Sequence, residues 1–136
     1  DMTAFWTLFQ HIQSNDIPVT APVQMDHARG KGDQATERTA MAFLYESTER
    51  GRLGTEGKVE VVDVLAATWV SIGARGYETQ DSVDDLLADL RHWLATHSPR
   101  HGISGPMRLM GWNSPSVRRD RRFYEVELPI RLRRDA

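Results

Sequence analysis

SVDDLLADLRHWLATH, residues 82–97, carries the clearest pattern in the chain. Val83, Leu86, Leu87, Leu90, Trp93 and Leu94 fall on one stripe at helical spacing, with Asp84, Asp85, Asp89 and Arg91 opposite. That is the pattern of a helix burying one face. Ser82 with Asp85 three residues on resembles a capping box, and Ser98-Pro99 stops the helix. His97 stands where a cation suits the helix dipole. On the N-terminal side, Ala66–Ala74 is apolar with several β-branched residues and reads as a strand. On the C-terminal side, Met107–Trp112 and Phe123–Ile130 alternate as strands around an Asn113-Ser114-Pro115 turn. Gly102-Ile103-Ser104-Gly105 reads as a turn before them. The order is therefore strand, helix, strand, strand.

Nearly the same order precedes it. Phe5, Leu8, Phe9 and Ile12 predict a helix over 3–14, with Asp1 or Thr3 as its cap. Ser14-Asn15-Asp16 ends that helix and Pro18 forbids its resumption. Val19–Met25 reads as a strand whose Pro22 suits a start or an edge. Residues 28–37, with Gly30-Lys31-Gly32-Asp33, form a polar loop. Arg38–Glu46 alternates with Met41, Phe43 and Tyr45 on one face. A second loop covers Ser47–Gly57; Val59–Val64 and Ala66–Ala74 read as one long strand or two consecutive ones. The prediction is one α+β domain over 1–136, built from two β-α-β-β repeats, about 1–47 and about 58–131. Two main helices pack on an antiparallel sheet. The symmetry expects one more strand ahead of Asp1.

Composition supports a packed core: 136 residues, 40% hydrophobic and 26% charged, without cysteine. Disorder, a membrane span, a disulfide framework and a thiolate metal site are all excluded. No signal peptide is visible, and a soluble protein is expected, the cytoplasm slightly favoured. The net charge of −2, and helices that are acidic or apolar, argue against a nucleic-acid partner. Charge is unevenly spread. Residues 1–99 hold 8 basic and 15 acidic side chains, whereas 100–136 hold 9 arginines against 4 acidic side chains. Arg118, Arg119, Arg121 and Arg122 cluster, and Arg131, Arg133 and Arg134 follow. Two readings stay open: a solvated loop with a frayed terminus, or an anion-recognition patch.

Catalytic motifs are missing: there is no Gly-x-Ser-x-Gly elbow, phosphate loop or paired-carboxylate signature. No catalytic residue is assigned, and the reading leans away from an enzyme. Of the five histidines, His92 and His97 are five apart and share no helix face. Met2, Met25, Met107 and Met110 are soft donors or adaptable core fillers.

Leu8-Phe9-Gln10-His11-Ile12 followed by Ile17-Pro18-Val19-Thr20-Ala21-Pro22-Val23 resembles the signature of the SOUL haem-binding protein family, with Val19 where that family has Met. Val62–Ala74, the second helix and Arg121-Arg122-Phe123-Tyr124-Glu125-Val126 extend the resemblance from Phe5 to Ile130. Gly111-Trp112-Asn113-Ser114-Pro115 stands where the family has a Tyr-Asp-Pro-Pro-like turn, and two residues stand where it has Asn. The resemblance implies the two-repeat fold of gyrase-inhibitor-like effector-binding domains. It also implies haem or other porphyrin as a possible cofactor, carried along the first helix and a late hairpin loop. Trp6 and Phe9, with Gln10 and Gln13 beside them, then offer a stacking wall, and Arg118, Arg119 or Arg121 pair with propionates. His11 and His27 are weak candidates for the metal. The alternative is a cationic or aromatic effector held near Glu125, with Trp112, Trp69 and Tyr45 as walls. A hydrolase using Glu125 as its base ranks below both.

Overall fold

The computed structural model describes residues 2–27, 38–47 and 49–134. Its elements run α1 (Met2–Ser14), β1 (Val23–His27), β2 (Arg38–Phe43), β3 (Gly54–Glu56), β4 (Val59–Val61), β5 (Thr68–Arg75), α2 (Gln80–His97), β6 (His101–Ile103), β7 (Arg108–Gly111) and β8 (Phe123–Leu132). A 3-10 turn, Arg119–Arg121, interrupts the connection between β7 and β8. The expected loop with Gly30-Lys31-Gly32-Asp33 and the Asp1 cap lie outside the described residues. Among those residues, no helix is long and apolar enough to cross a membrane.

The fold is α+β. The main sheet is antiparallel in the order β2-β1-β7-β8-β5, and β6 adds to β8 beyond the end of β7. β1 and β7 meet at its centre, so α1-β1-β2 and α2-β7-β8 are related by an approximate half turn. β5, which leads into α2, lies outside β8. Alternation along β8 sends Tyr124, Val126 and Leu128 into the core with Val83, Leu87 and Leu90 of α2, Met25 of β1 and Leu109 of β7. Glu125 and Glu127 take the opposite face. α2 packs on β5 and β8, whereas α1 lies over β2 and β4.

Several boundaries differ from the sequence reading. α2 is capped by Thr79, not Ser82: the Thr79 side chain accepts from Ser82 N–H and the Ser82 hydroxyl accepts from Thr79 N–H. The same reciprocal logic operates one turn earlier, with Ser82 in the place expected of Asp85. Gly102 and Ile103 belong to a short strand rather than a turn, because β8 extends to Leu132 and offers them a ladder. Val62–Ala67 forms no strand, since no neighbour pairs with it, and Val64 and Leu65 stand 83% and 92% exposed. Val19–Pro22 precedes β1, and part of the second predicted loop folds into the β3–β4 hairpin.

Candidate functional site

A cleft of about 510 Å³ opens on the helix side of the sheet, within the range of about 300–1,000 Å³ typical of ligand sites. Its floor is apolar: Val23 and Met25 from β1, Met41 from β2 and Tyr124 from β8. Gly111 of β7 belongs to the floor for a steric reason. A Cβ there would stand 3.2 Å from Met25 Cε, so a larger residue would push that methionine's tip aside by a few tenths of an ångström.

One wall is Phe5 of α1. Phe5 is fixed by an aromatic cluster: its ring lies 5.2 Å from Trp6, 6.1 Å from Phe9 and 5.2 Å from Phe43 of β2. Trp6 and Phe9 also meet edge to face at 5.5 Å. The opposite wall comes from the β5–α2 and β7–β8 connections. Gly76, at φ +115°, makes the turn out of β5 in a backbone region that L side chains rarely adopt. The β7–β8 connection folds around Arg122, which donates to Val117 O at 2.7 Å and Pro115 O at 2.8 Å. Asn113 Oδ1 accepts from Phe123 N–H at 2.6 Å and closes the loop's base.

Charge gathers on this wall. Glu78 precedes the α2 cap and accepts from Arg38 Nη2 of β2 at 3.0 Å, joining the two halves of the molecule across the cleft. Burial pushes the Glu78 carboxyl above its ordinary range, against the opposing pull of Arg38, Arg119 and Arg122. Arg119 lies over Tyr77, 5.4 Å from the ring centroid.

The sequence-predicted residues divide among three places. Arg119 lines the cleft, and Trp6 and Phe9 buttress it through Phe5. Gln10 and Gln13 are exposed on α1, and Arg118 and Arg121 point to solvent, Arg118 paired with Asp120 at 3.0 Å. Trp112 and Glu125 lie on the far face of the sheet, where the indole N–H donates to Glu125 Oε1 at 2.8 Å. Trp69 shares that face, its ring covered by Arg108 at 3.6 Å. Arg108 also donates to Glu127 and Gln24, and Gln24 to Asp26, so a hydrogen-bonded row crosses three strands there. Tyr45 stands instead beside Ile17 and Gly51.

Neither candidate histidine reaches the cleft. His11 is buried near Glu56, with Nδ1 3.9 Å from its carboxylate, and His27 Nδ1 donates to Met25 O at 3.3 Å. Burial lowers the His27 pKa and favours the neutral ring. Among the described residues no group of three or more His, Asp and Glu stands together for a metal. The cleft offers residue types suited to a planar, carboxylate-bearing ring, an apolar floor and arginines; its soft donors are the thioethers of Met25 and Met41, and no described imidazole lines it.

Met41, Arg38 and Glu78 went unread as site residues. Arg38 and Glu78 lie 40 positions apart, and only the strand order brings them together. Comparison of the chain with protein-family models, with curated proteins and with solved structures returns no match.

Proposed function

We propose that this chain is a non-catalytic binding module, a carrier, buffer or sensor, for a planar, largely apolar ligand carrying carboxylates, with haem or a related tetrapyrrole as the leading class. The observation that supports this is the composition of the cleft. An apolar floor of Met25, Met41, Val23 and Tyr124 faces an arginine-bearing wall, which matches a molecule with a flat greasy body and an anionic edge. Phe5, held by Trp6 and Phe9, closes the opposite side. Recognition works through the ring and the carboxylates, so the metal is dispensable for affinity.

Titration of the purified chain with hemin and with metal-free protoporphyrin IX, followed by absorption and by tryptophan quenching, tests this. Both should bind saturably at micromolar concentration with affinities within about tenfold of each other. Met41→Glu, which places a charge on the floor, should weaken both by more than tenfold while the protein stays folded. Absence of saturable binding, or equal binding by the Met41→Glu protein, overturns the reading.

The second reading, a cationic effector, rests on the half-buried Glu78 carboxylate. A cation entering here would have to displace Arg38 against the field of Arg119 and Arg122, so the anionic ligand is favoured.

A further inference from the structure

Three guanidinium groups and one carboxylate share the lining of the cleft. Arg38 comes from β2, Arg119 from the 3-10 turn and Arg122 from the residue before β8, and all three line the cleft together with Glu78. Only Arg38 reaches Glu78 as a direct ion pair. Among the described residues no carboxylate stands within ion-pair distance of Arg119. Arg122 is spent on two backbone carbonyls, which fix its place but leave its charge unneutralised. The site therefore holds one negative and three positive charges beside an apolar floor. Both members of the Arg38–Glu78 pair keep about a third of their side-chain surface, 29% and 30%, so a competitor reaches them from solvent.

We infer that Arg38, Arg119 and Arg122 form an anion subsite in which Glu78 stands in for the ligand's own carboxylate. A carboxylate-bearing ligand takes Arg38 and Arg119, and Glu78 swings out towards water. Glu78 thus sets specificity: it holds Arg38 in place when the cleft is free and competes with any anion that enters. This rests on the cleft as a ligand site but not on the tetrapyrrole. The subsite asks only for an aromatic or alicyclic body bearing a carboxylate.

The test uses a matched pair of small probes, 2-naphthoate and its neutral counterpart 2-naphthamide, titrated into isotopically labelled protein and read by NMR. Glu78→Gln should bind naphthoate about five- to tenfold more tightly than the unmodified chain, with naphthamide unchanged. Arg119→Gln should weaken naphthoate alone. A second measurement needs no variant: in the unmodified protein, naphthoate should shift the Nε–H signals of Arg38 and Arg119 and naphthamide should not. Equal naphthoate affinity in the Glu78→Gln protein overturns the inference, as do a parallel gain for naphthamide, no naphthoate binding, or unmoved arginine signals. If porphyrins fail to bind while naphthoate obeys the pattern, the tetrapyrrole reading falls and the subsite stands. If porphyrins bind and Glu78→Gln changes nothing for naphthoate, the subsite falls alone.

Discussion

Glu127 lies on the sheet face turned away from the helices, 8% exposed, with Oε1 2.7 Å from Arg108 Nε. Burial raises its pKa above 4.5, opposed by Arg108 and reinforced by Glu125 beside it. The folded state then holds a proton on Glu127 at pH values where the unfolded chain has lost it. By linkage its contribution is fully present below pH 4.5 and is lost as pH rises through the raised value. His27 works in the other direction. Its pKa is lowered from 6.5 by burial, so its contribution is complete above pH 6.5 and is lost as pH falls through the lowered value. Urea midpoints measured from pH 4 to pH 8 should therefore respond to each residue on its own side. Glu127→Gln should flatten the decline on the alkaline side of pH 4.5, and His27→Gln should flatten the decline on the acid side of pH 6.5. A variant whose profile runs parallel to the parent chain's contradicts the assignment for that residue.

At the scale of single elements, the start of α2 matters most, because it carries the site. Thr79 and Ser82 cap each other's backbone, and the Ser82 hydroxyl lies 3.2 Å from Tyr124 Oη, which ties the cap to the cleft floor. Glu78 is the next residue back along the chain. Thr79→Ala should cost about 1 kcal/mol in urea unfolding, at unchanged denaturant slope, whereas Thr79→Ser should cost much less. A Thr79→Ala loss below about 0.3 kcal/mol would show that the cap contributes nothing beyond solvent. The α2 stripe itself was legible in sequence because six apolar residues repeat at one period and α2 buries Val83, Leu87, Leu90 and Leu94 along it. The segment after β4 was not. Val62, Val64 and Leu65 are as apolar as any strand, yet a strand also needs a neighbour, which composition does not reveal. The site was half legible for a related reason. Arg119 announces itself in an arginine cluster, but Glu78 is a lone acid in a turn, and Arg38 is the first residue of an ordinary strand. Their meeting is a property of strand order, which local patterns do not encode.

Across the whole molecule the two halves are alike in topology and unequal in packing. The continuous core joins α2 to β1, β7 and β8, and no residue of α1 belongs to it. Among the described side chains of α1 only His11 and Ile12 are buried, and the helix rests on β2 and β4 through partly exposed aromatics. Fewer buried apolar contacts mean a lower free energy of local opening, so α1 should open without the sheet unfolding. Native-state hydrogen exchange should show the amides of α1 exchanging at least tenfold faster than those in the middle of α2, Val83–Leu94, with β7 and the β8 core exchanging most slowly. The difference bears on function because Phe5 is the cleft wall supplied by α1. If the cleft takes the proposed planar ligand, a helix that opens alone would admit it, and the bound ligand would then hold the helix shut. Saturating protoporphyrin IX should accordingly slow exchange in α1 and bring it towards that of α2. Equal protection of the two helices in the free protein would remove this route into the cleft, and unaltered α1 exchange at saturation would place the ligand away from Phe5.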